Sequence, residues 1–274
     1  MYAILPAAGY GTRFLPWSKS VPKEMLPVGD RPVIHEVVRE AADAGVTDIV
    51  IVLSKGKEAI SHYFTPDPEF DAYLESKGKA GLMDDLNALL ARVRFHYVEQ
   101  KEMKGLGDAI LCGLSAVPED SPFAVLLPDT IITGKSPMPD MVQTLRESGK
   151  GSVATQPVPA ERAVRYGICG GSETQPGSFQ VTQMIEKPDP EQIPCIQMLN
   201  GEKQHMAFAA RYVFPASLRQ HLENTAPGRN NEIQLTDAMA TLLADEGFHA
   251  HLLQGKRLDI GNPEGLVEAL TKRI

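Results

Sequence analysis

The stretch Leu5-Pro6-Ala7-Ala8-Gly9-Tyr10-Gly11-Thr12-Arg13-Phe14-Leu15-Pro16, continued by Pro22-Lys23-Glu24-Met25-Leu26-Pro27, decides how the rest of the chain is read. An apolar run from Tyr2 to Ala8 ends in small residues and then in two glycines one residue apart. Small side chains let backbone N–H groups approach a ligand, and glycine reaches turn conformations closed to other residues. Successive N–H groups in such a turn form an anion-binding concavity. Arg13, Lys19, Lys23 and Arg31 follow, interrupted only by the acids Glu24 and Asp30. A glycine turn backed by fixed positive charge suits a polyphosphate.

Two familiar phosphate loops are excluded. A dinucleotide fingerprint needs a third glycine where Phe14 stands. A P-loop needs Gly-Lys-Ser/Thr after four spacer residues, and that sequence is absent.

The chain has 274 residues, 43% hydrophobic and 23% charged, which suffices for one large α/β domain or two small ones. A net charge of -8 argues against nucleic acid or an anionic membrane as partner, and makes the local cationic cluster more telling. Cys112, Cys169 and Cys195 lie far apart without metal spacing and read as cytosolic thiols. The chain starts directly into a strand, and no apolar run approaches ~18 residues, so neither a leader nor a membrane span is expected.

Val33, Ile34, Val37, Val38, Ala41 and Ala42 recur at helical spacing between Pro32 and Gly45, ahead of a β-branched strand at Asp48 to Ser54. A helix is expected at Lys57 to Phe64, a mobile surface excursion at Thr65 to Leu82, and a helix carrying Leu82, Leu86, Leu89, Leu90 and Val93. Arg94 to Gln100 and Phe123 to Leu127 read as strands around a helix at Gly107 to Val117. This order predicts an α/β fold with a mixed, mostly parallel sheet flanked by helices. Ligands sit at the carboxyl ends of such strands, so Gly9, Gln100 and Asp129 share one rim. Strands at Val153 to Val158, Tyr166 to Cys169, Phe179 to Ile185 and Met206 to Phe214 extend the sheet into an added β region. A surface loop covers Asp189 to Lys203, and helices at Glu232 to Glu246 and Glu264 to Arg273 close the fold.

The opening stretch, together with Lys104-Gly105-Leu106-Gly107, Leu126-Leu127-Pro128-Asp129, Tyr166-Gly167, Ile185-Glu186-Lys187-Pro188, Glu232-Ile233-Gln234-Leu235-Thr236-Asp237 and Asp259-Ile260-Gly261-Asn262, resembles the bacterial sugar-1-phosphate nucleotidylyltransferases. Within them it is most similar to the UTP–glucose-1-phosphate uridylyltransferases, and the matches run in order through nearly the whole chain. The resemblance implies a nucleotide-diphospho-sugar transferase fold and one domain, with residues 1–150 mainly for the nucleotide and 151–274 mainly for the sugar and for closure. It also implies UTP and glucose 1-phosphate as substrates, a Mg2+ cofactor, a cytoplasmic setting, and a homo-oligomer (dimer or tetramer).

The implied reaction is attack of a sugar-phosphate oxygen on the α-phosphorus, with pyrophosphate leaving. The nucleophile is largely ionised at neutral pH, since a second phosphate pKa is about 6, so no general base is needed. Positioning and charge neutralisation must do the rest. The resemblance assigns Mg2+ to Asp129 and Asp259, each of which by itself reads equally well as a turn residue. It makes Arg13, Lys23, Asp129 and Lys187 catalytic. Ala7, Ala8, Gly9, Gly11, Thr12, Gln100, Gly105 and Gly107 go to the nucleotide, and Tyr166, Gly167, Glu186 and Lys187 to the sugar phosphate. A Gln amide suits the uracil edge because it offers both donor and acceptor. The chain departs from the family pattern at Asp108 (usually His), Glu99 (Arg), Asn231 (Asp) and the Leu258-Asp259-Ile260-Gly261-Asn262-Pro263 run. These departures leave a thymidylyl- or cytidylyltransferase open, and a catalytically silent regulatory paralogue is the alternative of another class.

Overall fold

The computed structural model describes residues 1–271. The last residues of the helix expected at Glu264 to Arg273 lie outside them; the described part is a helix at Pro263–Thr271. Strand Tyr2–Pro6 is central, pairing in parallel with Asp48–Leu53 on one side and Phe123–Leu126 on the other. Arg94–Glu99 extends the parallel array beyond Asp48–Leu53. Beyond Phe123–Leu126 the sheet turns antiparallel at Lys203–Phe214, then takes in Gly151–Val158, Phe248–Leu252, Ser178–Glu186, Gly167–Gln175 and the short Ile196–Gln197. The result is one ten-stranded mixed sheet.

Helices cover both faces because the parallel strands are apolar on both. Ile4, Val50 and Val125 pack under helix Leu106–Leu114, while Leu5, Ile49 and Ile51 pack under Val33–Asp43 and its neighbours. Fully buried aliphatic side chains of this kind contribute about 1.5–3 kcal/mol each. Gly113 permits that closeness, since a Cβ there would stand 2.7 Å from Ile4 Cγ2.

Five elements differ from the sequence reading. The excursion at Thr65 to Leu82 contains a helix, Pro68–Ser76, capped by Asp67, whose Oδ1 accepts from Phe70 N at 3.0 Å. Its many charges lie on an exposed face and mask a single buried anchor, Leu74. Helix Met138–Ser148 and strand Phe248–Leu252 were not anticipated. Nor was the antiparallel pair of Thr130–Lys135 with Gln254–Asp259, which stands apart from the main sheet. Among the described residues no helix is long and apolar enough to cross a membrane.

Candidate active site

The first strand delivers the chain to Ala7, whose N–H donates to Val52 O at 2.8 Å. Its carbonyl accepts from Lys57 Nζ at 2.5 Å, so Ala7 is buried behind the turn with both backbone groups taken. Lys57 in turn meets Glu24 Oε2 at 2.8 Å, an ion pair excluded from solvent. Burial pushes the Glu24 carboxyl up and the Lys57 ammonium down, against their mutual attraction. The next carbonyl, Ala8 O, accepts from Ser54 Oγ at 2.6 Å. Among the described residues the N–H groups of Ala8, Gly9, Tyr10, Gly11 and Thr12 then donate to no protein acceptor. Gly11 is left-handed at φ 63°, and its carbonyl is closed by Ser18 Oγ at 2.8 Å. Gly9 has open space where a Cβ would stand. The turn therefore presents unpaired donors outward from an anchored base.

A cavity of about 310 Å3 lies between this turn and Gln100, Gly105 and Glu232. Gln100 is buried, and its Nε2 donates to Asp108 Oδ2 at 2.6 Å and approaches Gly105 O at 3.4 Å. Of the four glycines expected at the nucleotide, Gly9, Gly11 and Gly105 line the cavity and Gly107 does not. Gly107 N–H donates to Ile233 O at 2.9 Å, and a Cβ on Gly107 would stand 2.6 Å from Ile233 Cγ2. Gly107 is thus a packing position. Three larger cavities, of about 650, 670 and 500 Å3, lie elsewhere and contain none of the expected site residues.

The unanticipated strand pair assembles the acidic part of the site. It sets Asp259 opposite Thr130, and Ile260 N–H donates to Asp129 O at 2.9 Å. A Cβ on Gly261 would stand 2.8 Å from Asp129 Oδ2 and 3.0 Å from Asp259 Oδ1, so the two carboxylates converge on a gap that only glycine leaves open. Lys23 Nζ reaches Asp129 Oδ2 at 2.5 Å, and Arg13 Nη1 approaches Gly261 O at 3.5 Å. Burial opposes ionisation of Asp129, but the Lys23 ammonium and the Arg257 guanidinium together outweigh it and hold the carboxyl below its ordinary range. Burial likewise opposes the charge on Lys23, yet Asp129 and Glu24 raise its pKa. Among the described residues there is no group of three or more His, Cys, Asp or Glu able to hold a metal. Mg2+ needs no such cage, since it takes one or two carboxylates and completes its shell with water and phosphate. The two converging acids fit that demand.

On the other side, Gly167 pairs with Glu186 across adjacent strands, and Lys187 N–H donates to Tyr166 O at 3.0 Å. A Cβ on Gly167 would strike Phe208 at 2.4 Å and Glu186 Oε2 at 2.9 Å. Lys187 adopts φ 47° and places its Nζ 3.6 Å from Glu186 Oε1. Thr236 Oγ1 donates to Glu186 Oε2 at 2.7 Å and fixes that carboxylate. Arg257 joins the two regions: its Nη2 donates to Asp259 Oδ2 at 3.1 Å, and its guanidinium lies 5.2 Å from the Tyr166 ring centre.

Sequence reading missed Lys57, Thr236 and Arg257 as site residues. Arg257 was findable, because residues two apart on a strand share a face and Asp259 was already singled out. If Glu186 meets the sugar, Thr236→Val should raise KM for the sugar phosphate roughly tenfold, near the low end for one lost hydrogen bond to a charged group. KM for the nucleotide should not move, and an equal rise in both, read by steady-state kinetics, would remove Thr236 from that role.

The nucleotidyl transferase family model matches residues 2–273. The UTP–glucose-1-phosphate uridylyltransferase YngB of Bacillus subtilis (strain 168) is 38% identical over 271 residues, 98% of this chain and 88% of that protein. A Pseudomonas aeruginosa protein, UTP–glucose-1-phosphate uridylyltransferase, is 38% identical over 97% of this chain and 93% of its own length. Among solved structures, an apo UDP-glucose pyrophosphorylase superposes with a TM-score of 0.90 at 35% identity, covering 99% of this chain and 97% of that one. The UTP-bound enzyme from Acinetobacter baumannii gives a TM-score of 0.87 at 35% identity, over 99% and 92%.

Proposed function

The chain belongs to the nucleotidyl transferase family, and from that premise we propose that it transfers a uridylyl group from UTP to glucose 1-phosphate in the presence of Mg2+, giving UDP-glucose and pyrophosphate. The relatives' names support the substrates. The observation that carries the chemistry is the convergence of Asp129, Asp259, Lys23 and Arg13 around Gly261, beside the unpaired amides of the glycine turn.

In this reading the base enters the cavity at Gln100, and the triphosphate lies along the amides of Gly9 to Thr12. Bound at Asp129 and Asp259, Mg2+ would neutralise phosphate charge. Arg13 and Lys23 stabilise the charge that grows on the departing pyrophosphate; such fixed positive groups act without reorganising during the reaction. Lys187 meets the phosphate of the incoming sugar, while Glu186 accepts hydrogen bonds from sugar hydroxyls, held for that by Thr236. The absence of a side chain at Gly167 lets Phe208 and the Glu186 carboxylate pack where one would stand. Residues 1–150 thus mainly hold the nucleotide and 151–274 the sugar, with Asp259 and Glu232 reaching back across the rim.

Pyrophosphate release from purified protein, measured with Mg2+ across several NTPs and sugar 1-phosphates, tests this. Release with UTP and glucose 1-phosphate above every other pair is expected. No release from any pair by folded protein would replace the enzyme with a nucleotide-sugar-binding protein.

A further inference from the structure

Asp108 stands in the first turn of helix Leu106–Leu114, where a carboxylate is favoured by the helix N-terminus. Its contact points elsewhere. No side-chain hydrogen bond caps this helix, and Asp108 Oδ2 instead accepts from Gln100 Nε2 at 2.6 Å. Gly105 O lies 3.4 Å from the same nitrogen. A glutamine amide can present either its oxygen or its nitrogen after a half turn of its last torsion, and only the surrounding hydrogen bonds decide which. Here two acceptors converge on one end of the amide, and an oxygen placed there would face both of them. The nitrogen is therefore fixed on the Asp108 side. Oε1 accepts no hydrogen bond among the described residues and is the polar atom left to Gln100 where it lines the cavity.

Resting on the reading of that cavity as the base site, we propose that Asp108 is a positioning residue that locks Gln100 with its carbonyl toward the base. The pocket is thereby restricted to pyrimidines carrying an N3–H donor, uracil or thymine. Cytosine has an acceptor nitrogen at N3, whose lone pair would face the Gln100 oxygen with no proton between them. A site committed to one hydrogen-bond polarity rejects a ligand of the opposite polarity strongly, because a buried group is left unpaired. A glutamine free to turn over would accommodate both bases. The locking acid thus bears on base choice while touching no substrate.

The test is the ratio of kcat/KM for UTP over CTP, each with glucose 1-phosphate, in the wild type, Asp108→Ala and Asp108→Asn. The wild type is expected to favour UTP by at least about 100-fold. Asp108→Ala should lower that ratio by roughly tenfold, as one hydrogen bond to a charged partner is lost. Asp108→Asn keeps an oxygen facing Gln100 and should retain the ratio within about threefold. A helix-stabilising role alone would lower melting temperature without moving the ratio. An unchanged ratio in Asp108→Ala overturns the proposal, as does wild-type turnover of CTP within tenfold of UTP, a readout that does not depend on any variant folding. UTP turnover alongside either result leaves the uridylyl reading standing, whereas no UTP turnover by the wild type overturns both.

Discussion

Asp129→Asn is expected to lower kcat by at least about 10³-fold, equivalent to roughly 4 kcal/mol of transition-state stabilisation. The substitution keeps the shape of the side chain and an oxygen that can still accept from Lys23, and it removes one unit of negative charge. Asp129 and Asp259 converge on the gap beside Gly261, so the loss leaves a single carboxylate where the proposed Mg2+ would sit. Residual activity should also need more Mg2+, which a metal titration of pyrophosphate release would read. The fold should survive, because the link between the two strands here is the backbone bond from Ile260 N–H to Asp129 O, which the change leaves alone. Turnover within tenfold of the wild type, with an unchanged metal titration, would remove Asp129 from the metal site.

The parallel half of the sheet was legible because its strands are buried on both faces and read as unbroken β-branched runs, as in Asp48–Leu53. The glycine turn was legible because Gly11 sits where φ is positive. Harder was the question of what brings Asp129 to Asp259, 130 positions away. The answer, a strand pair with Gly134 facing Gly255, carries no local signature, since Thr130–Lys135 ends in Gly-Lys and looks like the start of a loop. The helix at Pro68–Ser76 was hidden for the opposite reason: it buries only Leu74, too little to stand out among charges. Asp108 was visible as a departure from the family pattern, but its contact was not. A side chain in the first turn of one helix meets the end of the preceding strand only once both are packed. Lys57 left no trace at all, since a lysine after a glycine normally reads as a solvated helix start.

Lys57→Met is the substitution with the largest expected effect on stability. Lys57 and Glu24 are 6% and 1% exposed, and they pair at 2.8 Å. Removing one partner of a buried pair leaves the other uncompensated and costs about 3–5 kcal/mol. For a chain of this size that is a fall in Tm of roughly 10 °C. The loss should depend on pH in a defined direction. Burial already raises the Glu24 carboxyl, and without Lys57 one of the groups that lower it is gone. A carboxyl raised in the folded state contributes stability that is present below its unfolded value, about 4.3, and lost as pH rises through the folded one. The deficit relative to the wild type should therefore be larger at pH 7.5 than at pH 5.5. Replacing both residues, as Glu24→Leu with Lys57→Met, should recover much of the stability, because an apolar pair has no charge to desolvate. It should not recover turnover. Ala7 O would still lack the donor that now anchors it at 2.5 Å, and the amides that follow it would lose the fixed base from which, in the proposed reading, they meet the phosphates. Thermal melts at the two pH values and pyrophosphate release from the single and double variants separate these effects. Full turnover in the double variant would show that Lys57 serves the fold alone.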